Sequence, residues 1–310
     1  MKKNIITSAL IILVLIIILS SCTNQSSNET PKVDQTEGII NNVKECEIEL
    51  INILSQVDLV PYYKKQINEK KKKEEEKKEK EKTTGTEKKE GGSEQKSDEF
   101  KPKPITNNDV LLLELLEKEQ SNKMKLEKKK EIPEDIVFVW HEISESIDNM
   151  HVNWDDLKAK LEKSKVSPKA ISGFDDSLNS LTISSNENKY LETLINTNTA
   201  SSYLPQFARD LKKSNLASIY AVKYFIRDMV LNAARNDYTS INKNMNTIKS
   251  EQKRLSAELK KKKDEELANR LELSISNLED AVLLKDINVI KIKASIVIQN
   301  INSAQEKLST

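Results

Sequence analysis

Hydrophobic positions in this chain recur at three- and four-residue spacing over most of its length, the period of one face of an α-helix. The clearest run is Ile136, Trp140, Ile143, Ile147, Met150, Trp154, Leu157 and Leu161, with spacings of 4, 3, 4, 3, 4, 3 and 4. An unbroken seam of about four heptads predicts a long helix packed lengthwise on its neighbours. Ile39, Val43, Cys46, Leu50, Ile53 or Leu54 and Val57 predict an amphipathic helix over 39–60, ahead of Pro61. Another helix opens with Val110 to Leu113, capped by Asn107 or Asn108, and ends before Pro133, which then sits at a helix start.

Beyond Leu161 the pattern shortens. Ile171, Phe174, Leu178 and Leu181 mark a stretch after Pro168, and Ser/Asn clusters predict loops near 184–188 and 196–202. Phe207 to Ala233 read as one helix following Pro205. Between Leu216 and Ala233 only Lys223, Arg227 and Asp228 are charged, so this helix is apolar over most of its circumference and should lie centrally. Ile241, Met245, Ile248, Leu255 and Leu259 define a further face, and Leu267, Leu271, Ile275, Leu278 and Val282 another. Between them Lys260 to Lys263 meet Asp264 to Glu266, as when one helix's C-terminal charge meets the next one's N-terminal charge, but no Gly or Pro confirms a break. One continuous helix over 240–284 therefore stays open beside two.

Residues 287–298 alternate as a strand would, yet Ile287, Ile290, Ala294, Val297, Ile301, Ala304 and Leu308 keep heptad spacing and Asp286 can cap, which predicts a terminal helix. The fold class expected is all-α: an elongated multi-helix bundle with heptad-like seams over 105–310, preceded by a disordered tether and a charged linker. Such seams close equally well within one chain or between chains, so a homo-oligomer stays open.

Two stretches lack apolar periodicity. Residues 22–38 contain TNQSSNETPKVDQTEG and read as a flexible tether. Residues 61–104 include EKKKKEEEKKEKEK and read as a Lys/Glu-rich low-complexity linker, helical in part where Glu-to-Lys pairs four apart suffice. Lys70 to Lys73 suggest a polybasic membrane or heparin site, but the interleaved glutamates cancel the field.

Composition sharpens this reading. The 310 residues are 32% charged with only 5 Gly and 7 Pro, too little punctuation for a many-stranded β fold. A formal net charge of +1 argues against a nucleic-acid binder, which would carry a basic domain. His141 and His151, the two histidines, fall about 80° apart and nearly three turns from each other on one predicted helix, so they cannot share a metal. No Cys pair, Gly-rich phosphate loop, HExxH or recognisable nucleophile setting is present, and no enzyme is expected. Asp155-Asp156 and Asp175-Asp176 are adjacent acids that face different ways and favour helix starts or solvent. Trp140 and Trp154 suit core packing, with a ligand-binding aromatic pair as the alternative. Tyr203, Tyr220, Tyr224 and Tyr238 could rim a partner surface.

The first residues decide location. Met1, Lys2 and Lys3 form a positive n-region, Ile5 to Leu19 an uncharged apolar run, and Ser20, Ser21 and Cys22 a small-residue boundary before polar chain. A run this short is the shape of an export signal rather than a spanning helix, which needs roughly 20 apolar residues. Leu19-Ser20-Ser21-Cys22 resembles the lipobox of bacterial lipoproteins. That resemblance implies a signal peptide over 1–21, cleavage recognised through Leu19, Ser20 and Ser21, and covalent lipid, palmitate among it, on Cys22; no other cofactor is expected. Cys46 is then the remaining thiol, either a small apolar filler or the source of an intermolecular disulfide.

Lipobox, polar tether, Lys/Glu-rich linker and a Lys-, Asn- and Ile-rich helical bundle together resemble the surface lipoproteins of Borrelia spirochaetes, in particular their plasmid-encoded all-helical families. The resemblance implies an outer-membrane location facing the cell exterior, a membrane held through the N-terminal lipid, and non-enzymatic binding of a host or vector protein in adhesion or immune evasion. A periplasm-facing structural or envelope-assembly lipoprotein is the alternative, and a helical carrier with an apolar pocket near Trp140 or Trp154 a third. No partner-binding residue carries over.

Overall fold

A computed structural model describes residues 32–83, 100–106, 108–120 and 131–309. Leu19, Ser20, Ser21 and Cys22 lie outside the described residues, as do the rest of the expected signal peptide, the first part of the tether, linker residues 84–99, the candidate cap Asn107 and residues 121–130. The described residues form eleven helices and no strand. They are α1 (Lys32–Asp58), α2 (Val60–Thr83), α3 (Leu113–Glu119), α4 (Ile136–Glu162), α5 (Pro168–Asn186), α6 (Tyr190–Ser201), α7 (Leu204–Asp210), α8 (Ser214–Ala234), α9 (Tyr238–Lys261), α10 (Glu265–Leu284) and α11 (Ile287–Ser309). The chain divides into two units, residues 1–38 and residues 39–310, and the second contains the hydrophobic core.

The all-α expectation holds, and the heptad seam is where it was read. On α4, Trp140, Ile143, Ile147, Met150, Trp154, Leu157 and Leu161 are all buried, with Val139 beside them. Asp135 opens this helix by accepting from the Val137 N–H at 3.2 Å, two residues beyond Pro133. His151 to Thr182 and Lys158 to Asp175 contacts run α4 and α5 antiparallel. Ser218 to Glu251 and Asn244 to Asp228 bonds do the same for α8 and α9. The central position expected for the apolar helix is confirmed: α8 packs against α6, α7, α9 and α11, with fourteen of its residues buried.

Several boundaries differ from expectation. The helix expected over 39–60 begins earlier, at Lys32, within the stretch read as tether. The stretch read as linker is helical from Val60 to Thr83, and Tyr62, Tyr63, Gln66 and Ile67 are buried, so its first two turns belong to the core. The expected loop near 196–202 is helix through Ser201, because Thr193, Thr197 and Thr199 turn their hydroxyls back onto carbonyls four residues earlier, at 2.7, 2.7 and 2.8 Å. The hydroxyls are thereby satisfied inside the helix and stop acting as breakers. The single helix expected over 207–233 is two, α7 and α8, broken at Lys212.

Five of the breaks share one chemistry. Asn188, Lys212, Asn236, Lys263 and Lys285 all take positive φ, between 53° and 62°, a region usually left to glycine. At the first four the helix ends in a pair of reversed backbone bonds. Lys189 N–H reaches Ser184 O, Lys213 reaches Ala208 O, Asp237 reaches Asn232 O and Asp264 reaches Leu259 O, each enclosing a second bond that runs from the left-handed residue to a carbonyl three residues earlier. This is the Schellman arrangement, which satisfies carbonyls that a helix end leaves open. Asp237, Asp264 and Asp286 then cap the next helix by accepting from Ser240, Leu267 and Asn288 N–H groups. The question left open over 240–284 is answered: two helices, joined by Lys262 to Asp264.

A left-handed conformation costs an ordinary L-residue roughly 1–2 kcal/mol, part of which glycine's greater freedom in the unfolded chain offsets. Lys263→Gly, at an exposed position, is therefore expected to stabilise the protein by ~0.5–1 kcal/mol. Urea unfolding followed by circular dichroism should show a higher midpoint with an unchanged slope.

Candidate functional site

The densest polar constellation is a buried layer across α8. Lys223 and Arg227 stand four residues apart, one turn of the helix, so they share a face. An unpaired buried cation costs several kcal/mol, and both have carboxylates brought to them. Lys223 Nζ lies 3.1 Å from Glu47 Oε1 of α1, with 4% and 9% of the two side chains exposed. Arg227 pairs through Nη1 with Glu119 Oε1 of α3, and neither side chain is more than 2% exposed. The same guanidinium donates from Nε to Asn198 Oδ1 at 2.8 Å and from Nη2 to Ser201 Oγ at 2.9 Å, both on α6. Four helices are thus tied at one level. Burial raises the Glu47 carboxyl above its usual range even with Lys223 beside it, and burial together with the Glu47 charge pushes Tyr220 well above an ordinary phenol.

A second cluster holds α3 at both ends. Leu112, at its N-cap position, offers no side-chain acceptor. Asp58, at the end of α1, takes that role: its carboxylate accepts from the backbone N–H groups of Leu111, Leu112 and Leu113 at 2.8, 2.7 and 2.7 Å, and from the Tyr190 hydroxyl at 3.0 Å. Burial outweighs these bonds and raises the Asp58 carboxyl. Lys291 of α11 donates to Val110 O at 2.9 Å just ahead of this end, and at the other end Asn302 of α11 donates to the Lys118 carbonyl at 2.5 Å. Asn108, the other cap expected from sequence, does not serve this helix; the cap comes from a side chain 53 to 55 residues earlier.

The candidate residues named from sequence are dispersed. His141 lies 3.4 Å from Glu145 on an exposed face, while His151 Nε2 meets Thr182 Oγ1 at 2.8 Å on the α5 side. They share no site, and among the described residues no group of three or more His, Cys, Asp or Glu could hold a metal ion. Trp140 and Trp154 are both buried but form no pair. Trp154 packs against Phe174 and Phe207, with centroids at 4.2 and 5.9 Å, and its indole N–H donates to Asp175, which also receives Lys158. Asp175 is thus a partner of the core indole, unlike the helix-start or solvent role expected, whereas Asp155, Asp156 and Asp176 are exposed.

Of the tyrosines read as a rim, Tyr220 is 2% exposed and belongs to the core. Tyr203 packs edge-on to Phe174 and covers Gly173 so closely that a Cβ there would overlap its ring. Tyr238 donates to Lys285 O at 3.0 Å. Cys46 is buried, with its thiol pushed up to about 12 chiefly by burial, which suits the filler reading over an intermolecular disulfide.

The buried layer positions helices; it contains no nucleophile with an adjacent base. What sequence reasoning missed was the acid side of each pair. Glu47, Asp58 and Glu119 look like ordinary solvated acids in a chain this rich in charge. The only signal was indirect: two cations on an otherwise apolar helix require anions from elsewhere.

Lys223→Met strands Glu47 in the core and is expected to cost ~3–5 kcal/mol, whereas Glu47→Met with Lys223→Met should recover most of it in a double-mutant cycle read by urea unfolding. Because burial raises Glu47, the single variant's deficit should shrink as pH falls and Glu47 takes up a proton. Asp109 behaves oppositely. Lys65 at 2.8 Å and the Thr106 hydroxyl and N–H hold its carboxyl down at about 2, from 3.8. Its contribution is therefore present above pH 3.8 and lost as pH falls through about 2. Asp109→Asn should be less stable than the parent at neutral pH, and the difference should close as pH falls below about 2. In comparisons with known proteins, no family model, no curated protein and no solved structure matches this chain.

Proposed function

We propose that this protein is a lipid-anchored outer-surface protein that presents a helical bundle for non-enzymatic binding of host or vector proteins. The observation that carries the reading is Leu19-Ser20-Ser21-Cys22, placed after a basic n-region and a short apolar run. Two or three acyl chains at Cys22, at about 0.8 kcal/mol for each buried methylene, anchor a chain firmly. The packed helical unit over 39–310 supports the reading as the displayed part. The resemblance to Borrelia surface lipoproteins supplies the partner class.

One structural feature favours the second reading, a periplasm-facing structural or envelope-assembly lipoprotein. The charged segment over 61–104 does not lie between anchor and bundle. It leaves the core at α2 and returns to it: Lys103 N–H donates to Gln66 Oε1 at 2.9 Å, the Tyr62 hydroxyl donates to Lys103 O at 2.8 Å, and Lys103 Nζ lies 2.9 Å from Glu69. The segment adds nothing to reach. Only residues 23–38 separate Cys22 from the unit that begins at Ile39.

Protease shaving of intact cells separates the two readings. Loss of the bundle with a periplasmic control protein intact is the expected result, and protection until permeabilisation would establish the second reading instead. Cys22→Ala should abolish incorporation of labelled palmitate and move the protein out of the membrane fraction. Retention of label in that variant would remove the anchoring site from Cys22.

A further inference from the structure

The Lys/Glu-rich half of α2 differs from every other helical stretch in what it touches. Residues 71–79 are exposed throughout, so the segment presents all sides of its helix to solvent. It contributes nothing to the hydrophobic core, whose last α2 member is Ile67. Its inner turn is tied only at the surface, by Lys71 to Asp135 at 3.0 Å and by Lys73 over the Phe100 ring at 5.2 Å.

The helix on the other side of Leu59 is the reverse case. From Leu50 to Val60 no residue is exposed, and Leu50, Ile51, Ile53, Leu54 and Val57 all lie in the core. What holds α1 and the inner turns of α2 to residues beyond 100 is almost entirely non-covalent. It includes apolar burial, the Glu47 to Lys223 pair, the four bonds to Asp58, the Tyr62 and Gln66 bonds to Lys103, Lys65 to Asp109, Gln120 to Asn52 and Asn153 to Glu49.

We propose that residues 71–79 are a cleavage-tolerant arm, cut by lysine-specific serine proteases, and that the two pieces stay together as one folded body. A protease must draw several residues into an extended strand before it can cut, so it selects helix that opens locally without loss of core contacts. Lys71, Lys72, Lys73, Lys77 and Lys78 supply the side chain such enzymes bind. Each cut consumes one water: the lysine carbonyl carbon takes the hydroxyl and becomes a carboxylate terminus, and the following nitrogen takes the proton and becomes an amine. No contact between α1 and the rest of the core depends on the bond that breaks. The proposal does not require the anchoring reading. Where that reading holds, a bundle cut in this arm remains on its anchor.

The test uses the chain from residue 23 onward, digested under native conditions with a protease that cuts after lysine, with cut positions mapped by mass. The expected result is an early cut between Lys71 and Glu79, two bands on a denaturing gel, one size-exclusion peak at the uncut position and an unchanged helical circular dichroism signal. Early cuts within α1, α4 or α8 instead, or separation of the pieces without denaturant, would overturn it.

A second form carries the recognition sequence of a site-specific protease between Glu76 and Lys77. Its uncut circular dichroism signal should equal the parent's, since the insertion falls where every residue from 71 to 79 is exposed and none belongs to the core. Unfolding on insertion, or resistance to cutting under native conditions, would show the arm to be packed and would equally overturn the proposal. In the cut form Lys223→Met should lower the urea concentration at which the pieces separate; an unchanged value would remove the Glu47 pair from what holds them.

Discussion

A cation buried on an apolar helix obliges the fold to bring an anion to it, and α8 carries two. Lys223 draws Glu47 from 176 residues earlier and Arg227 draws Glu119 from 108 residues earlier. A half-made buried pair is worse than none, because the remaining charge has neither water nor partner. The N-terminal helix α1 and the short α3 can therefore dock only in the register that delivers both carboxylates. Apolar packing supplies the attraction but tolerates sliding by a turn; the charges do not. That one level of the bundle thus selects the arrangement of α1, α3, α6 and α8, while Asn198 and Ser201 accept two further N–H groups of Arg227.

The same logic explains how a seven-residue helix persists. Alone, α3 is far below the length at which a helix holds itself together in water. It exists because its neighbours satisfy both of its ends: Asp58 takes the open N–H groups, Asn302 meets the Lys118 carbonyl, and Leu112, Leu113, Leu115 and Leu116 are buried. Asp58 closes α1 and opens α3, and α1 from Ile39 onward is part of the core. For a protein read as anchored at its N-terminus, α1 from Ile39 onward is then a structural member of the displayed body, and the charged segment after it is an arm on that body.

Glycine's scarcity shapes the remainder. With 5 Gly in 310 residues, the chain turns between helices with Asn and Lys in the left-handed region, and in three junctions the next residue is an Asp that caps the following helix. Asn236-Asp237, Lys263-Asp264 and Lys285-Asp286 are thus one recurring device. A search for Gly and Pro as punctuation does not find the left-handed residue of each pair, whereas the Asp286 cap is legible as an acid ahead of a heptad run. The Ser/Asn cluster over 196–202 misled in the opposite direction: Thr197 and Thr199 within it bond back onto their own helix, which runs through Ser201.

Local periodicity alone determined the helical class, the α4 seam from Trp140 to Leu161, the central place of α8 and the terminal helix with its Asp286 cap. These are properties of contiguous residues, and the 3.6-residue period suffices to reveal them. Tertiary structure alone decided the partners of Lys223 and Arg227, the cap that Asp58 lends to α3, the burial of Tyr220, and the return of the chain to Gln66 at Lys103. Each joins positions tens to hundreds of residues apart, and nothing in the local pattern around Glu47, Asp58 or Glu119 distinguishes them from the many solvated acids of a chain that is 32% charged. Burial is what gives those three their roles, and burial is a property of the assembled core.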